Sequence, residues 1–433
     1  MDRALMKRLV EWKDKPRRKP LILNGARQVG KTWLLQEFGS THFDNVAYVN
    51  LDGNPAMREV FELGYDVKRI VSAIQFETGQ VVREGKTLII LDEIQEAPKA
   101  LTSLKYFCEN ARGLAVAAAG SLLGLTVHQG TGYPVGKVDT LDLHPMSYRE
   151  FLAATGNDGL VELLDTADAT LISSFASRFV PLLRQYYYVG GMPEAVGAFL
   201  ARGLLEDARA VQESILLGYE RDVSKHLPRT ETGYALAAWN SIPSHLGRVN
   251  KKFVFGQIAE GARARNYRSG ITWLTQAGIA VRVPRISKPG IPLRSHEDIA
   301  AFKLFLPDVG LLGAMEHLDK GAVIGGSSIF EEFKGALTEQ YVCQQLIASC
   351  GLTPYYWSAA KSTGEIDFLV EDAGNVFAVE VKAEENLRAK SLRAFKGAHP
   401  EVHAVRFSLS GYREQDWMRN VPLYAISCKE LWA

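Results

Sequence analysis

A glycine-rich segment that ends in a lysine and a threonine has the clearest chemical role in this sequence. Eight consecutive residues fit the pattern GxxxxGK[ST] in full: Gly25, Ala26, Arg27, Gln28, Val29, Gly30, Lys31 and Thr32. In this pattern backbone N–H groups surround phosphate oxygens, the lysine reaches the terminal phosphates, and the threonine hydroxyl binds Mg²⁺. An apolar run precedes the segment and a helical pattern follows it, which is the context that the motif requires. The sequence therefore predicts that all eight residues bind a nucleoside triphosphate.

Two acids follow the apolar run at residues 87–91, at the point where the predicted strand ends. They are Asp92 and Glu93. Because sheets of α/β proteins place ligands at the carboxyl ends of their strands, we expect both acids near the glycine-rich segment. Asp92 is suited to the Mg²⁺ shell, and Glu93 to polarising the attacking water, with Lys31 stabilising the transferred phosphate. Either acid by itself could instead cap the next helix.

Ser121 follows the next apolar run, residues 115–119. Its hydroxyl either contacts the terminal phosphate or caps the following turn, and the sequence leaves these alternatives equally open. Hydrolysis also needs a cation for the transition-state charge. Lys137, Arg149 and Arg184 are candidates, although each is also explained as a solvated or ion-paired surface residue.

A second group of acids lies near the C-terminus. Asp367 falls in a strand-like run, and Glu380 and Lys382 fall in the next one. Because side chains alternate along a strand, Glu380 and Lys382 point to the same face. Two carboxylates and a lysine on neighbouring strands are suited to a Mg²⁺-dependent cleavage of phosphodiesters. The alternative is an ion pair between Glu380 and Lys382 in an inactive domain that only docks partners.

Composition and patterning limit the elements that position these groups. The 433 residues carry a formal charge of +1, so nothing global favours nucleic acid or membrane. Apolar strand-like runs alternate with helical stretches over residues 1–150, which is typical of a parallel sheet covered on both faces. No run of about 18 apolar residues occurs, which predicts no membrane span. The four cysteines form no CxxC pair, and we expect reduced thiols in a cytoplasmic protein.

Positive charge is concentrated in the middle of the chain. Between residues 248 and 288 a single acid, Glu260, stands against nine cations: Arg248, Lys251, Lys252, Arg263, Arg265, Arg268, Arg282, Arg285 and Lys288. Helical patterns at 258–264 and 267–277, then a β-prone run at 279–286, predict a winged helix that contacts DNA phosphates. The alternative is a helical module whose cations bind an acidic surface of another domain or subunit.

These motifs together resemble the AAA-type prokaryotic ATPases with a helical and winged-helix middle region and a nuclease-like C-terminal domain. The resemblance rests on these segments: 25–32, 91–95, 120–121, 143–152, 190–194, 219–223 and 303–311. It implies ATP and Mg²⁺ as ligands and ATPase activity. Relatives commonly have an arginine where this chain has Lys137, which keeps the charge but not the bidentate geometry.

The C-terminal segment resembles the PD-(D/E)xK nucleases, in which a glutamate on the preceding helix often completes the site. Glu339 fits that position, so the resemblance implies a metal set of Glu339, Asp367 and Glu380 assisted by Lys382. We therefore predict an α/β chain of four regions: a P-loop ATPase domain (1–150), a helical domain (151–230), a basic winged-helix-like region (231–325) and a nuclease-like domain (326–433).

Two functions follow from this organisation. The first is an ATPase that couples hydrolysis to conformational change and DNA binding, with DNA cleavage as a further step. The second is a nucleotide-gated signalling or assembly regulator whose nuclease-like domain is inactive and contacts protein partners. The sequence leaves assembly into homo-oligomers open.

Overall fold

The computed structural model describes residues 1–120, 134–325, 331–359, 364–384 and 389–433. Contacts divide the chain into two units. The first contains Asp2–His144 with Gln276–Gly278, and the second contains Pro145–Thr275 and Ile279–Ala433. Within the described ranges no helix is both long and apolar enough to cross a membrane. The four cysteines, all in the described part of the chain, are free thiols.

The first unit is built on a parallel sheet of five strands in the order β2-β3-β4-β1-β5. The strands are β1 (Leu21–Asn24), β2 (Asn45–Asn50), β3 (Thr87–Asp92), β4 (Ala115–Ala119) and β5 (Asp139–Asp142). The helices are α1 (Leu5–Asp14), α2 (Lys31–His42), α3 (Pro55–Glu62), α4 (Val67–Thr78) and α5 (Pro98–Asn110). Every residue of β3 and β4 is buried, which explains their continuous apolar sequences.

Four of these strands confirm the predictions from apolar runs, whereas no apolar run predicts β5. The sequence of β5 contains a single apolar residue, Leu141, and the strand lies at the edge of the sheet beside β1. An edge strand of this kind lacks the continuous apolar pattern by which the central strands are recognised.

The second unit begins with helices and continues with an eight-stranded mixed sheet. Its helices are α6 (Tyr148–Ala154), α7 (Asp158–Asp165), α8 (Ala169–Ser174), α9 (Ala176–Val189), α10 (Pro193–Arg202), α11 (Leu205–His226), α12 (Arg229–Asn240), α13 (Ile242–Leu246), α14 (Ala264–Gln276), α15 (Val309–Met315), α16 (Lys320–Gly325), α17 (Glu331–Ala348) and α18 (Lys390–Ala398). Its strands are β6 (Val281–Ile286), β7 (Glu297–Phe305), β8 (Tyr355–Ser358), β9 (Glu365–Asp372), β10 (Asn375–Val381), β11 (His403–Ser408), β12 (Arg413–Gln415) and β13 (Met418–Pro422).

The strand order of this sheet is β12-β13-β11-β10-β9-β8-β6-β7. Strands β6 and β7 form the antiparallel hairpin at the position of the predicted wing. The hairpin is joined to the C-terminal strands because Arg285 of β6 pairs with Tyr356 of β8. The sheet therefore continues across the boundary that the sequence predicts at residue 326.

The predicted helix at 258–264 is wrong, while the next one is confirmed as α14. Residues Phe255–Gln257 form a short 3₁₀ turn instead, and Gly261 has a φ of 71°. Such a left-handed residue interrupts helical backbone, which explains why the apolar spacing there does not produce a helix.

Candidate functional site

The glycine-rich loop lies between β1 and α2, as the motif requires. Gln28 and Gly30 have φ values of 66° and 90°, so the backbone turns back on itself just before α2. At Gly25 a Cβ atom would lie 2.4 Å from the carbonyl oxygen of Leu143, which excludes any larger residue at this position. The N-terminus of α2 and the loop amides together form a site suited to phosphate.

Arg3 ties this loop to the rest of the first unit. Its guanidinium donates hydrogen bonds to the carbonyl oxygens of Val29, at 2.9 Å, and His144, at 2.6 Å. The side chain is almost completely buried. No local sequence pattern indicates this role of Arg3, because its partners are 26 and 141 positions away.

Lys31 stands at the first position of α2 and is held by the loop itself. Its ammonium group donates to the carbonyl oxygens of Gly25, at 2.9 Å, and Ala26, at 2.7 Å. Burial lowers the pKa of Lys31 to about 8, although the nearby carboxylates of Glu93 and Asp92 act in the opposite direction. An anion that entered the loop would therefore favour the protonated form.

Asp92, at the end of β3, is hydrogen-bonded by uncharged donors. Its Oδ2 atom accepts from the Thr32 hydroxyl at 2.7 Å and from the Tyr48 hydroxyl at 3.0 Å, and its Oδ1 atom accepts from the Glu93 amide at 3.0 Å. A hydroxyl and a carboxylate in contact are oxygen donors of the kind that Mg²⁺ prefers, so Thr32 and Asp92 fit this ion.

Glu93 occupies a strained backbone position directly after β3. Its φ of 49° and ψ of 45° lie in the left-handed region, which costs about 1–3 kcal/mol for such a residue. Its carboxylate accepts a short hydrogen bond from the Gln95 side chain. This conformation turns the Glu93 side chain away from the direction that a continuing strand would give it.

The three candidate cations are engaged elsewhere. Lys137 forms a 2.8 Å ion pair with Glu109 at the end of α5. In the second unit Arg149 pairs with Asp165, and Arg184 donates to the carbonyl oxygen of Ile324 at 3.4 Å. Ser121 lies outside the described residues.

The predicted C-terminal residues come together in the second unit. Lys382 lies 2.7 Å from Glu380, and the carboxylate of Asp367 accepts from the Val381 amide at 2.7 Å. Partial burial opposes the charge of Lys382, but Glu380, Asp367 and Glu339 together raise its pKa. Burial first, and the charge of Glu339 second, raise the pKa of Asp367 to about 7.

Two lysines that sequence analysis did not place there enter this acidic cluster. The ammonium group of Lys251 donates a short hydrogen bond to Glu339. Lys303, on β7, lies 2.5 Å from Glu365 and 3.7 Å from Glu339. Burial opposes the ionisation of Glu339, yet these two lysines hold its pKa below the ordinary value.

The acidic cluster does not fit a metal ion as it stands. Among the described residues, no group of three or more His, Cys, Asp and Glu side chains is arranged to hold one. Ammonium groups occupy one oxygen of Glu339 and one of Glu380, and their positive charge opposes the binding of a further cation.

The basic middle segment is only partly available to a ligand. Arg285 pairs with Asp298, and Arg282 lies over the Phe302 ring at 4.8 Å. Five of the nine cations are exposed: Arg248, Arg263, Arg265, Arg268 and Lys288. Three of these stand at the beginning of α14.

Close packing joins two of the segments on which the family resemblance rests, residues 190–194 and 303–311. Buried Asp308 accepts from the Gly191 amide at 2.6 Å and from Gln344 at 3.0 Å. A Cβ atom at Gly191 would lie 2.0 Å from the Met146 carbonyl oxygen. The motif is therefore explained by close packing around a buried carboxylate.

Comparison with protein families divides the chain into three segments. Residues 17–152 match the model of a family described as an AAA domain. Residues 180–322 and 334–428 match two domains of unknown function, DUF8612 and DUF4143. Two uncharacterized proteins, from Mycobacterium bovis and Mycobacterium tuberculosis, are each 22% identical over 371 residues, which is 84% of this chain and 70% of the relative.

Among solved structures, the Walker-type ATPase of Pyrococcus abyssi has a TM-score of 0.42 at 13% identity, covering 73% of this chain and 95% of that one. Orc1 of Aeropyrum pernix, solved in complex with DNA, has a TM-score of 0.28 at 15% identity, with coverages of 74% and 93%. The P-loop, the strand order and the AAA-domain match give residues 17–152 the character of an AAA-type P-loop ATPase domain.

Proposed function

We propose that this chain binds ATP with Mg²⁺, hydrolyses it, and couples hydrolysis to a conformational change and to DNA binding. The contact between the Thr32 hydroxyl and the Asp92 carboxylate carries the proposal. It joins the glycine-rich loop to the acidic end of β3, so the two motifs form a single site.

Each residue of this site has a role that its chemistry supports. The loop amides and the start of α2 bind phosphate, and the Lys31 ammonium is already held at the loop by Gly25 and Ala26. Mg²⁺ would be held by Thr32 and Asp92 and would neutralise phosphate charge there. Glu93 is the group that would accept a proton from the attacking water.

The cation that stabilises the transition state must come from outside this site. Lys137 has an ion-pair partner in Glu109, and the charge of that partner opposes its recruitment to phosphate. An arginine from a second copy of the chain would supply bidentate contacts that a lysine does not provide. Assembly with ATP bound is therefore a component of the proposed cycle, in a protein that we expect to be cytoplasmic.

DNA contact is assigned to the exposed arginines at the start of α14, namely Arg263, Arg265 and Arg268. Cations at a helix N-terminus are opposed by the helix dipole, and the first turn of α14 contains no acid. Helix stability therefore does not account for these residues, whereas phosphate binding does.

The test is release of inorganic phosphate from ATP with and without DNA. Hydrolysis should need Mg²⁺, be lost in Lys31→Ala, and be lost in Glu93→Gln while ATP binding remains. DNA should raise the rate in the wild type but less in Arg265→Glu. Lys68→Glu, which changes the same charge at an exposed position of α4, should respond as the wild type does.

Equal rates with every nucleic acid would remove DNA from the proposal, and absence of ATP binding by folded protein would remove all of it.

The second candidate, a nucleotide-gated regulator without nuclease chemistry, is favoured by the ion pair between Lys251 and Glu339. Plasmid cleavage with Mg²⁺ or Mn²⁺ distinguishes the two functions. Cleavage that is lost in both Asp367→Ala and Lys382→Ala supports the nuclease. ATP turnover without cleavage supports the regulator.

A further inference from the structure

The acidic cluster of the second unit is defined by four carboxylates and three lysines. The carboxylates belong to Glu339, Glu365, Asp367 and Glu380, and the lysines are Lys251, Lys303 and Lys382. These seven groups sum to one net negative charge when every group is ionised, and buried Arg406 on β11 adds positive charge beside Glu380. The three lysines supply more positive charge than a single divalent ion would.

Because these groups are buried, their charge balance determines whether a metal ion can bind among them. Side-chain exposure is 8% for Glu339, 12% for Lys251 and 0% for Lys303. Charges removed from water are stable only when they are paired, because desolvation costs several kcal/mol for each ion. Adding a divalent cation to the complete set would leave a net positive charge in a poorly solvated place, which is unfavourable.

The lysines also take the positions through which a cation would be bound. Glu339 receives the Lys251 ammonium on one oxygen and faces Lys303 with the other. Both ammonium groups also act on Asp367, where their charges oppose the effects of burial and of Glu339. The two acids expected to share a metal thus share two lysines.

The two lysines differ in how firmly they are placed. Lys303 lies within β7, where it pairs with Val283 of the neighbouring strand and is fully buried. Lys251 comes from residues 247–254, which form no helix or strand, and the preceding residues Arg248, Val249 and Asn250 are exposed. Withdrawal of Lys251 therefore needs no strand to break.

We propose that the ammonium groups of Lys251 and Lys303 occupy the place of a divalent cation among Glu339, Asp367 and Glu380. Of the two lysines, Lys251 is the one that can withdraw, and in its present position it inhibits metal binding. With Lys251 in place the centre excludes divalent cations. With Lys251 removed, the cluster loses one positive charge beside Glu339 and leaves an oxygen-rich site for Mg²⁺ or Mn²⁺. Glu380 contributes to that site through its buried Oε2 atom, which has no hydrogen-bond partner in the described structure.

This inference does not depend on the proposed ATPase activity, and its test uses no nucleotide. All proteins in the test carry Thr32→Ala, so that the loop site adds no Mn²⁺ binding of its own. Mn²⁺ binding is measured by electron paramagnetic resonance of the free ion and by the melting temperature with and without Mn²⁺.

The parent protein, which carries only Thr32→Ala, should bind no Mn²⁺ at the cluster, and Mn²⁺ should leave its melting temperature unchanged. Lys251→Met should bind one Mn²⁺ at least about tenfold more tightly than the parent, which corresponds to about 1.4 kcal/mol. It should also melt at a lower temperature than the parent and regain stability with Mn²⁺. Adding Glu339→Gln to this variant should abolish the new site.

Lys252→Met is the matched control, because it removes the same charge from the next residue and should gain no site. Lys251→Gln is the second variant, since its amide still donates to Glu339 if the methionine variant does not fold. The proposal is overturned if the parent binds Mn²⁺ as tightly as the variants do. It is also overturned if neither folded variant gains a site that depends on Glu339.

Discussion

The glycine-rich loop and the acidic cluster combine the same kinds of group, lysines and carboxylates, in opposite ways. At the loop, Lys31 donates to backbone carbonyls, and Asp92 accepts from the hydroxyls of Thr32 and Tyr48. At the cluster, Lys303 and Lys251 contact the carboxylates directly. Neutral donors leave the charge of Asp92 available to a cation, whereas ammonium groups neutralise Glu339. The identity of the partner, more than the presence of acids, therefore decides whether a cation can bind.

The largest expected effect that tests this contrast is on stability. Lys303→Met leaves Glu339 and Glu365 poorly compensated in a buried place, so the free energy of unfolding should fall by about 3–5 kcal/mol. Lys31→Met removes a lysine that has no carboxylate contact within ion-pair distance among the described residues, so its effect should stay within about 1 kcal/mol. Urea denaturation measures both. Equal losses of unfolding free energy in the two variants would contradict the contrast between the two lysines.

The next effect concerns Mg²⁺ at the loop. Asp92→Asn keeps the shape of the side chain but removes the charge, so ATP affinity in Mg²⁺ should fall about a hundredfold, or roughly 2.7 kcal/mol. Affinity measured in EDTA should change little, because the phosphate contacts to the loop remain. A titration with a fluorescent ATP analogue under both conditions gives the comparison. An equal loss in EDTA would contradict the assignment of Asp92 to the metal.

A smaller effect is expected from Tyr48, which orients Asp92. Tyr48→Phe removes one hydrogen bond to a carboxylate, worth about 1.5 kcal/mol, and should weaken Mg²⁺-dependent ATP binding roughly tenfold. Tyr65→Phe is the control, since its ring stacks on Tyr106 in the same unit. Unchanged binding in Tyr48→Phe would mean that Thr32 alone positions the carboxylate.

The smallest effect, when measured between pH 7 and pH 8, is a pH dependence of ATP binding. In the free protein the pKa of Lys31 is about 8, and bound phosphate favours the ammonium form. The pKa thus rises on binding, so affinity is full below pH 7 and falls by about twofold at pH 8 and tenfold at pH 9. Calorimetry at pH 8 in two buffers should show uptake of about half a proton.

In Lys31→Arg, the charge persists throughout this range, and the pH dependence of binding should disappear. A persistent dependence in that variant would assign the titration to another group.

Most of the groups that the structure brings together lie in patterns that are visible in the sequence. Local motifs suffice to locate residues 25–32 and Asp92. The alternation of side chains at the end of β10 suffices to place Glu380 and Lys382 together. The sequence predicts Lys251 to be one of the DNA-facing cations, yet it contacts Glu339 instead. Its partner is 88 positions away, and no local pattern reports such a contact.

The sequence does contain a signal for Lys303, because this residue interrupts the apolar run from Phe302 to Leu306. A lysine in a strand that is otherwise apolar must be paired when it is buried, and this argument would have predicted an acidic partner. The sequence contains no such signal for Tyr48. Aromatic residues are common in strands, so its hydroxyl contact with Asp92 depends on the parallel register of β2 and β3.

The continuous sheet of the second unit has a consequence for how that unit melts. Strands β6 and β7 come from the middle of the chain and share hydrogen bonds with strands that begin at Tyr355. Denaturation should consequently proceed through a single cooperative transition for residues 281–305 and 355–422. A fragment starting at residue 326 would lack Lys303 and leave one edge of β8 bare, and it should associate with itself rather than remain monomeric.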